Sequence, residues 1–372
     1  MVISRGRSFR ALRCGVPAAG CIFAALVALA TPARADVELK FYGDTSFGVR
    51  NHSDVTNSFS AAALELFPTA TVDRASFLAE LMAEAGEDNV LVMDLERVQI
   101  AYLFADWLRV RAGRMHTAFG FYNDAYHHAK FFQLTTGRPQ LVSFEDEGGL
   151  LAAHLVGVAV DGQFALGEAL DLHYDVEAGN GRGNIVDEVT IAQAKKSNKM
   201  FNFRLRLLPS FLEGLIVGAN FTVDEIPPAL PPEMPAAPPP PGIPNRMREL
   251  VWGAHVAYRE HHVHFIAEGA AILHKEDVTN TNYRHYGGFV ELGYGFGDFL
   301  PYARYEHIKL ASVPDPFFLT GPLGNVSVFR DGRVGLKWVP TENIALKLEG
   351  RATKIDDADV VLAAELQCAF GF

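Results

Sequence analysis

The side chains best suited to chemistry in this chain are arginines spaced two apart and acids gathered in one stretch between them. Arg109 and Arg111 share one face of an extended segment, as do Arg204 and Arg206, because successive side chains on a strand point to opposite sides. Between the two pairs lie Asp124, Lys130, Arg138 and the run Glu145-Asp146-Glu147. A basic wall set against an acidic loop creates a transverse field, which sorts passing solutes by charge and dipole. The same residues have an ordinary use as solvated charges or salt bridges within a wall.

Two histidine groups, His127-His128 and His261-His262-His264, raise the question of a metal. Neither has the i, i+4 helical spacing of a zinc pair, and neither has a cysteine partner. A structural or solvated role is the better reading, and no metal is expected. No cofactor is expected either, since no glycine-rich phosphate loop follows a strand and opens a helix. No Ser/His/Asp constellation stands out, so no catalytic residue is assigned.

The elements that would position these residues begin with the compartment. Arg5, Arg7, Arg10 and Arg13 form a basic start without acids, an apolar run extends from Val16 to Ala30, and Ala33-Arg34-Ala35 follows. That order reads as a secretory signal peptide over residues 1–35, cleaved before Asp36. Its removal takes away five arginines and no acid, leaving 28 basic against 44 acidic residues, a net −16 in place of −11. Such acidity argues against nucleic acid as a partner. Cys14 and Cys21 leave with the leader, so Cys368 stands alone and no disulfide framework can be built.

The mature chain, 36–372, alternates. At its end Val360, Leu362, Ala364, Leu366, Cys368, Phe370 and Phe372 fall on one face, and Val361, Ala363, Glu365, Gln367, Ala369 and Gly371 on the other. One face is wholly apolar, and the strand ends on an aromatic. This matches the terminal signal that outer-membrane barrels present to their assembly machinery. The start mirrors it, with Val37, Leu39, Phe41, Phe47 and Val49 against Glu38, Lys40, Asp44 and Ser46. Strands at both termini are what closure requires, since an open sheet edge cannot sit in lipid.

About sixteen such segments are predicted. Their connections alternate in length, with tight ones at Phe104–Trp107, Asp161–Gln163, Pro209–Glu213, Gly297–Phe299 and Pro340–Asn343. Long ones fall at Met115–Glu147, Asn180–Met200, Asp224–Glu249 and Ala311–Asn325. Short periplasmic turns and long outer loops are the asymmetry of a transmembrane antiparallel up-and-down β-barrel. Ser58–Phe67 and Ala75–Glu84 also fit a helix, with Phe77, Leu78, Leu81 and Met82 at helical spacing, and would reduce the count to fourteen. Gly148–Val160 reads as a weakly patterned strand, apolar on both faces. Trp107, Trp252 and Trp338 fall near predicted strand ends, where an interfacial aromatic girdle belongs. The proline run in the 225–249 loop reads as a stiff extended surface segment.

The stretch Leu108 to Gly149, opening Gly-Arg-Met-His-Thr-Ala-Phe-Gly-Phe, resembles the porin family that includes the phosphate-selective porins O and P. The lysine clusters of the phosphate-selective members have no counterpart here. The resemblance implies a homotrimeric channel for passive diffusion of small hydrophilic solutes or ions in the outer membrane, surrounded by lipid and lipopolysaccharide. It also implies a third loop, 115–147, folded inward as the constriction. A surface-binding barrel or an enzyme built on a barrel rim are the alternatives.

Overall fold

The computed structural model describes residues 35–51, 56–85, 91–126, 129–145, 147–188, 197–228 and 246–372. Residues 1–34 of the expected leader, His127-His128, Asp146 and most of the proline run lie outside the described residues. Sixteen antiparallel strands follow one another around a closed barrel, with β1 (Asp36–Arg50) paired to β16 (Val361–Gly371). The closing seam ends in two backbone bonds, Phe41 N–H to Phe372 O and Phe372 N–H to Phe41 O, both 2.9 Å.

The alternation in the sequence becomes an inside and an outside. On β16 Leu362 and Leu366 are 54% and 53% exposed, whereas Gln367 and Ala369 are 1% and 0%. The apolar face therefore points outward and the polar face inward, the reverse of a soluble sandwich and the arrangement that lipid demands. The two ambiguous segments are strands, β2 (Asn57–Val72) and β3 (Ala75–Ala85), so the count is sixteen. Their pairing explains the choice: Leu64 and Leu66 on β2 meet Ala83 and Leu81 on β3 across the ladder.

Connection parity also holds. The even connections are short, such as Asp73-Arg74 between β2 and β3 and Asp106-Trp107 between β4 (Leu91–Ala105) and β5 (Leu108–His116). All the long connections are odd ones, and this parity leaves both barrel termini at the short-turn end. Stacked aromatic pairs mark that rim, among them Phe164 on Tyr174 and Phe299 on Trp338. Trp252 departs from expectation. It sits in the middle of β10 (Met247–Tyr258), opposite Phe221 and Ala271, and packs on the Phe221 ring rather than marking a strand end.

Two boundaries differ from the sequence reading. The tight turn expected at Asp161–Gln163 lies inside β6 (His154–Ala165), and the chain reverses instead at Leu166–Ala169 before β7 (Leu170–Asn180). Asp161 stays on the ladder because its carboxylate binds Arg109 and Arg111 on the neighbouring strand. The segment expected as a strand from Gly148 begins its ladder only at His154. Residues 148–153 belong to the preceding loop and, apart from the half-buried Ala152, are buried inside the barrel, hence apolar throughout.

Candidate functional site

The connection between β5 and β6 is the feature the rest of the barrel is built around. β4 pairs with β5 only as far as Val98 opposite Arg114, although β4 itself continues up to Leu91 beside β3. At the break Gly113 has φ +133°, and a Cβ there would stand 2.0 Å from the Val98 carbonyl oxygen. Only glycine fits a backbone bent this way. Past it Arg114, Met115, His116, His154 and Leu155 are all buried, so both faces of the β5–β6 corner are covered.

From this corner on, the described residues between Thr117 and Ala153 lie inside the barrel. A short helix α1 (Tyr122–Ala125) forms its first turn against the wall. The Phe121 and Tyr122 backbone N–H groups donate to one Glu268 oxygen on β11 (Val263–Glu276), at 2.9 and 3.0 Å. Gly120, at φ +61°, lies so close to that carboxylate that a Cβ would be 1.8 Å from Glu268 Oε1. The Ala-Phe-Gly-Phe part of the motif thus has a steric meaning.

Further along, the loop is held by its own backbone groups. Lys347 of β15 (Ile344–Ile355) donates to the carbonyls of Lys130 and Thr135, at 2.6 and 2.9 Å. Glu349 accepts from Thr136 N–H and Oγ1, and Glu306 of β13 (Phe299–Lys309) from the Gln140 and Leu141 N–H groups. An irregular backbone inside a barrel has no ladder to satisfy it, and these wall side chains supply the missing partners.

The arginines single out one patch of this wall. Arg204 on β8 (Met200–Pro209) is 1% exposed and binds Asp175 at 2.8 Å, the Gly120 carbonyl at 2.9 Å and Asp124 at 2.9 Å. Arg206 lies 3.7 Å from Asp124 and 3.4 Å from Asp175. Asp124 is half exposed to the lumen, and Arg204 and Arg206 hold its carboxyl well below the usual range. Arg109 and Arg111 grip Asp161 at 2.8 and 2.6 Å, nearer the short-turn end.

The remaining candidates separate. Arg138 donates to the Val142 and Tyr126 carbonyls and to Asn123 Oδ1, so it shapes the loop from within. Lys130 reaches Asp44 on β1 at 3.3 Å. Glu145 does not face the arginines: it binds His154 Nδ1 and the His154 backbone N–H, both at 2.9 Å. Burial alone would raise its carboxyl, but the His154 charge and hydrogen bonds hold it at about 2. Glu147 is exposed beside the remaining open space.

That space, about 280 Å³, lies between the loop and β2–β4, with Glu65, Glu84, Asp94, Glu96 and Glu147 on its lining. The opposite half of the lumen is filled. Phe119, Tyr122, Leu141 and Leu150 of the loop pack with Ile226, Val251, Ile272, Phe289 and Ile308 on the wall from β9 (Leu215–Ile226) to β13.

No protein-family model and no curated protein sequence matches this chain. Solved structures do match. An anion-selective porin from Comamonas acidovorans superposes with a TM-score of 0.61 at 10% identity, over 91% of this chain and 100% of that one. The outer membrane channel DcaP of Acinetobacter baumannii gives 0.59 at 14% identity, over 92% and 99%. OmpT of Vibrio cholerae in its trimer form gives 0.57 at 9% identity, over 91% and 99%. The fold is that of the outer-membrane porins. A porin-fold barrel with an apolar exterior belongs in the outer membrane, as its structural neighbours do.

Within this porin-fold barrel, sequence reasoning missed a histidine clasp at the long-loop end. His274 bridges Asp315 at 2.7 Å and Glu249 at 2.8 Å, and His285 Nε2 lies 2.8 Å from the same Asp315 oxygen. His274, His285 and Asp315 are close enough to suggest a metal site. However, His285 Nδ1 accepts the Ala311 N–H at 3.2 Å, which leaves the hydrogen on Nε2, directed at Asp315. The group is therefore arranged as a hydrogen-bonded clasp that ties Asp315, in the connection after β13, onto the wall. Its members lie far apart in the chain, and no local spacing announces them. Of the sequence-noted histidines, His264 binds Glu291 at 3.0 Å and His261 meets the Tyr258 hydroxyl.

Proposed function

We propose that this chain is a porin-type channel through which small hydrophilic solutes or ions diffuse passively across the outer membrane. The observation that carries this reading is the loop Thr117–Ala153, held inside the barrel by wall carboxylates and lysines while a charged space stays open beside β2–β4. A loop fixed in this way narrows a channel without closing it, and local charges at a constriction filter what passes. An enzyme has less support, because the named structural neighbours are a porin, a channel and an outer membrane protein. We infer that the working unit is a homotrimer, as one structural neighbour is described in a trimer form, and that residues 1–35 are its cleaved leader. Finer likeness to the phosphate-selective members rests on the Gly113–Phe121 motif, while the wall next to the open space is acidic and suits phosphate poorly.

Planar bilayers test the channel. Purified folded protein should give discrete conductance steps in potassium chloride, and a correctly folded barrel that never conducts would overturn the reading.

A further inference from the structure

The open side of the constriction has a chemistry of its own. Glu65 on β2, Met82 on β3 and Asp94 on β4 form one rung across the ladder, with Glu84 and Glu96 beside them on the same cavity. The basic groups on the same lining already have partners. Arg114 donates to the Glu96 carbonyl and lies 3.5 Å from its carboxylate, His154 lies 2.9 Å from both Glu96 and Glu145, Arg138 donates within the loop, and Lys130 is directed to Asp44.

Glu65 is the residue left over. Its side chain is 3% exposed, it lines the cavity, and its Oε2 has no hydrogen-bond donor among the described residues. A carboxylate taken out of bulk water without a partner is costly, and several acids close together increase that cost. The arrangement is relieved by a positive charge arriving in the cavity. The shape of the space narrows the choice of cation. Ala63, Met82, Leu95 and Phe144 contribute apolar surface next to the acids. A bare divalent ion needs six or more close oxygens, whereas an alkyl chain ending in an ammonium group uses both the apolar wall and the carboxylate.

We propose that this cavity is a subsite for small organic ammonium ions, with Glu65 as their counter-ion. Transport of such ions rests on the channel reading above; binding does not.

The test uses the full mature barrel folded in detergent, with putrescine as the probe, at pH 8 to lessen competition from protons for the carboxylate. Calorimetry should show saturable binding of putrescine and none of neutral 1,4-butanediol. Glu65→Gln keeps the shape and removes the charge, and should weaken binding by about tenfold, the ratio that corresponds to ~1.4 kcal/mol. Heat-modifiable mobility confirms that the variant is folded. In bilayers putrescine should block the wild-type conductance and block Glu65→Gln less. Wild-type protein that binds no putrescine, or a folded variant that binds it equally well, would overturn the subsite. Conductance without binding or block removes the subsite and leaves the channel, while binding without conductance removes the channel and leaves the subsite.

Discussion

The half of the lumen lined by β9–β13 and the half lined by β2–β5 are made of different residues and are put to different uses. On the first side the wall offers Ile226, Val251, Ile272, Phe289 and Ile308, and the inward loop answers with Phe119, Tyr122, Leu141 and Leu150. Their burial is a small hydrophobic core inside a barrel, and each fully buried large side chain contributes about 1.5–3 kcal/mol. On the second side the wall offers Glu65, Glu84, Asp94 and Glu96, and the loop does not fill the space. One side anchors the loop, and the other leaves the space that the proposed channel would use. The lesson is that a pore can be placed off-centre by deciding where in the lumen the apolar residues go.

Breaking the anchor should produce the largest effect. Arg204→Ala removes the cation shared by Asp175, Asp124 and the Gly120 carbonyl. Breaking a buried pair is strongly destabilising, and Arg206, 3.4 Å from Asp175, offsets only part of the lost charge, so the expected loss is on the order of 3 kcal/mol. Urea unfolding of the barrel in lipid vesicles would measure it. Single-channel records of the same variant should be noisier and of higher conductance, because the loop is released on that side.

A smaller effect is expected at the far end of the loop, and it depends on pH. Glu145 has its carboxyl lowered from the usual 4.5 to about 2, through His154 and against the burial that would raise it. A group depressed in the folded state stabilises above its unfolded value and loses that contribution as pH falls through its folded one. Glu145→Gln should therefore cost ~2 kcal/mol at pH 7, and wild type and variant should converge as pH approaches about 2. A constant difference across the whole range would show that Glu145 contributes by shape alone.

The smallest effect should come from Glu147. It is exposed on the lining of the open space, so charge removal there is partly screened. Glu147→Gln should move the reversal potential toward anions by a few millivolts in low salt, and the shift should vanish at 1 M, where the Debye length is about 3 Å.

Much of this division was legible in the sequence, and some was not. The alternation in residues 360–372 and the parity of connection lengths led to a barrel of about sixteen strands, with fourteen left open by the helical spacing in two segments, because lipid enforces a period of two on a strand. Arg204 and Arg206 were legible as lumen charges for the same reason, and Asp124 as their partner in the loop. The β5–β6 corner was not. Where the chain bends into the lumen both faces are covered, so residues 148–155, apolar but for His154, show no period that would mark the start of β6. Glu145 was read as a filter residue because sequence shows its charge but not His154 beside it. The acid rung on β2–β4 was missed because β2 and β3 also carry a helical spacing, and only pairing places Glu65, Met82 and Asp94 in line.

The central claim, that the path runs along β2–β4 and not along β9–β13, is tested most directly by thiol accessibility during conduction. In a Cys368→Ser background, one variant carries Ala63→Cys, on the lining of the open space, and another Val251→Cys, in the filled half. A cationic methanethiosulfonate reagent added to open channels should reduce the conductance of the Ala63→Cys variant in a lasting way and leave the Val251→Cys variant unchanged. Block at position 251 with none at position 63 would place the path on the opposite side of the loop and contradict the account.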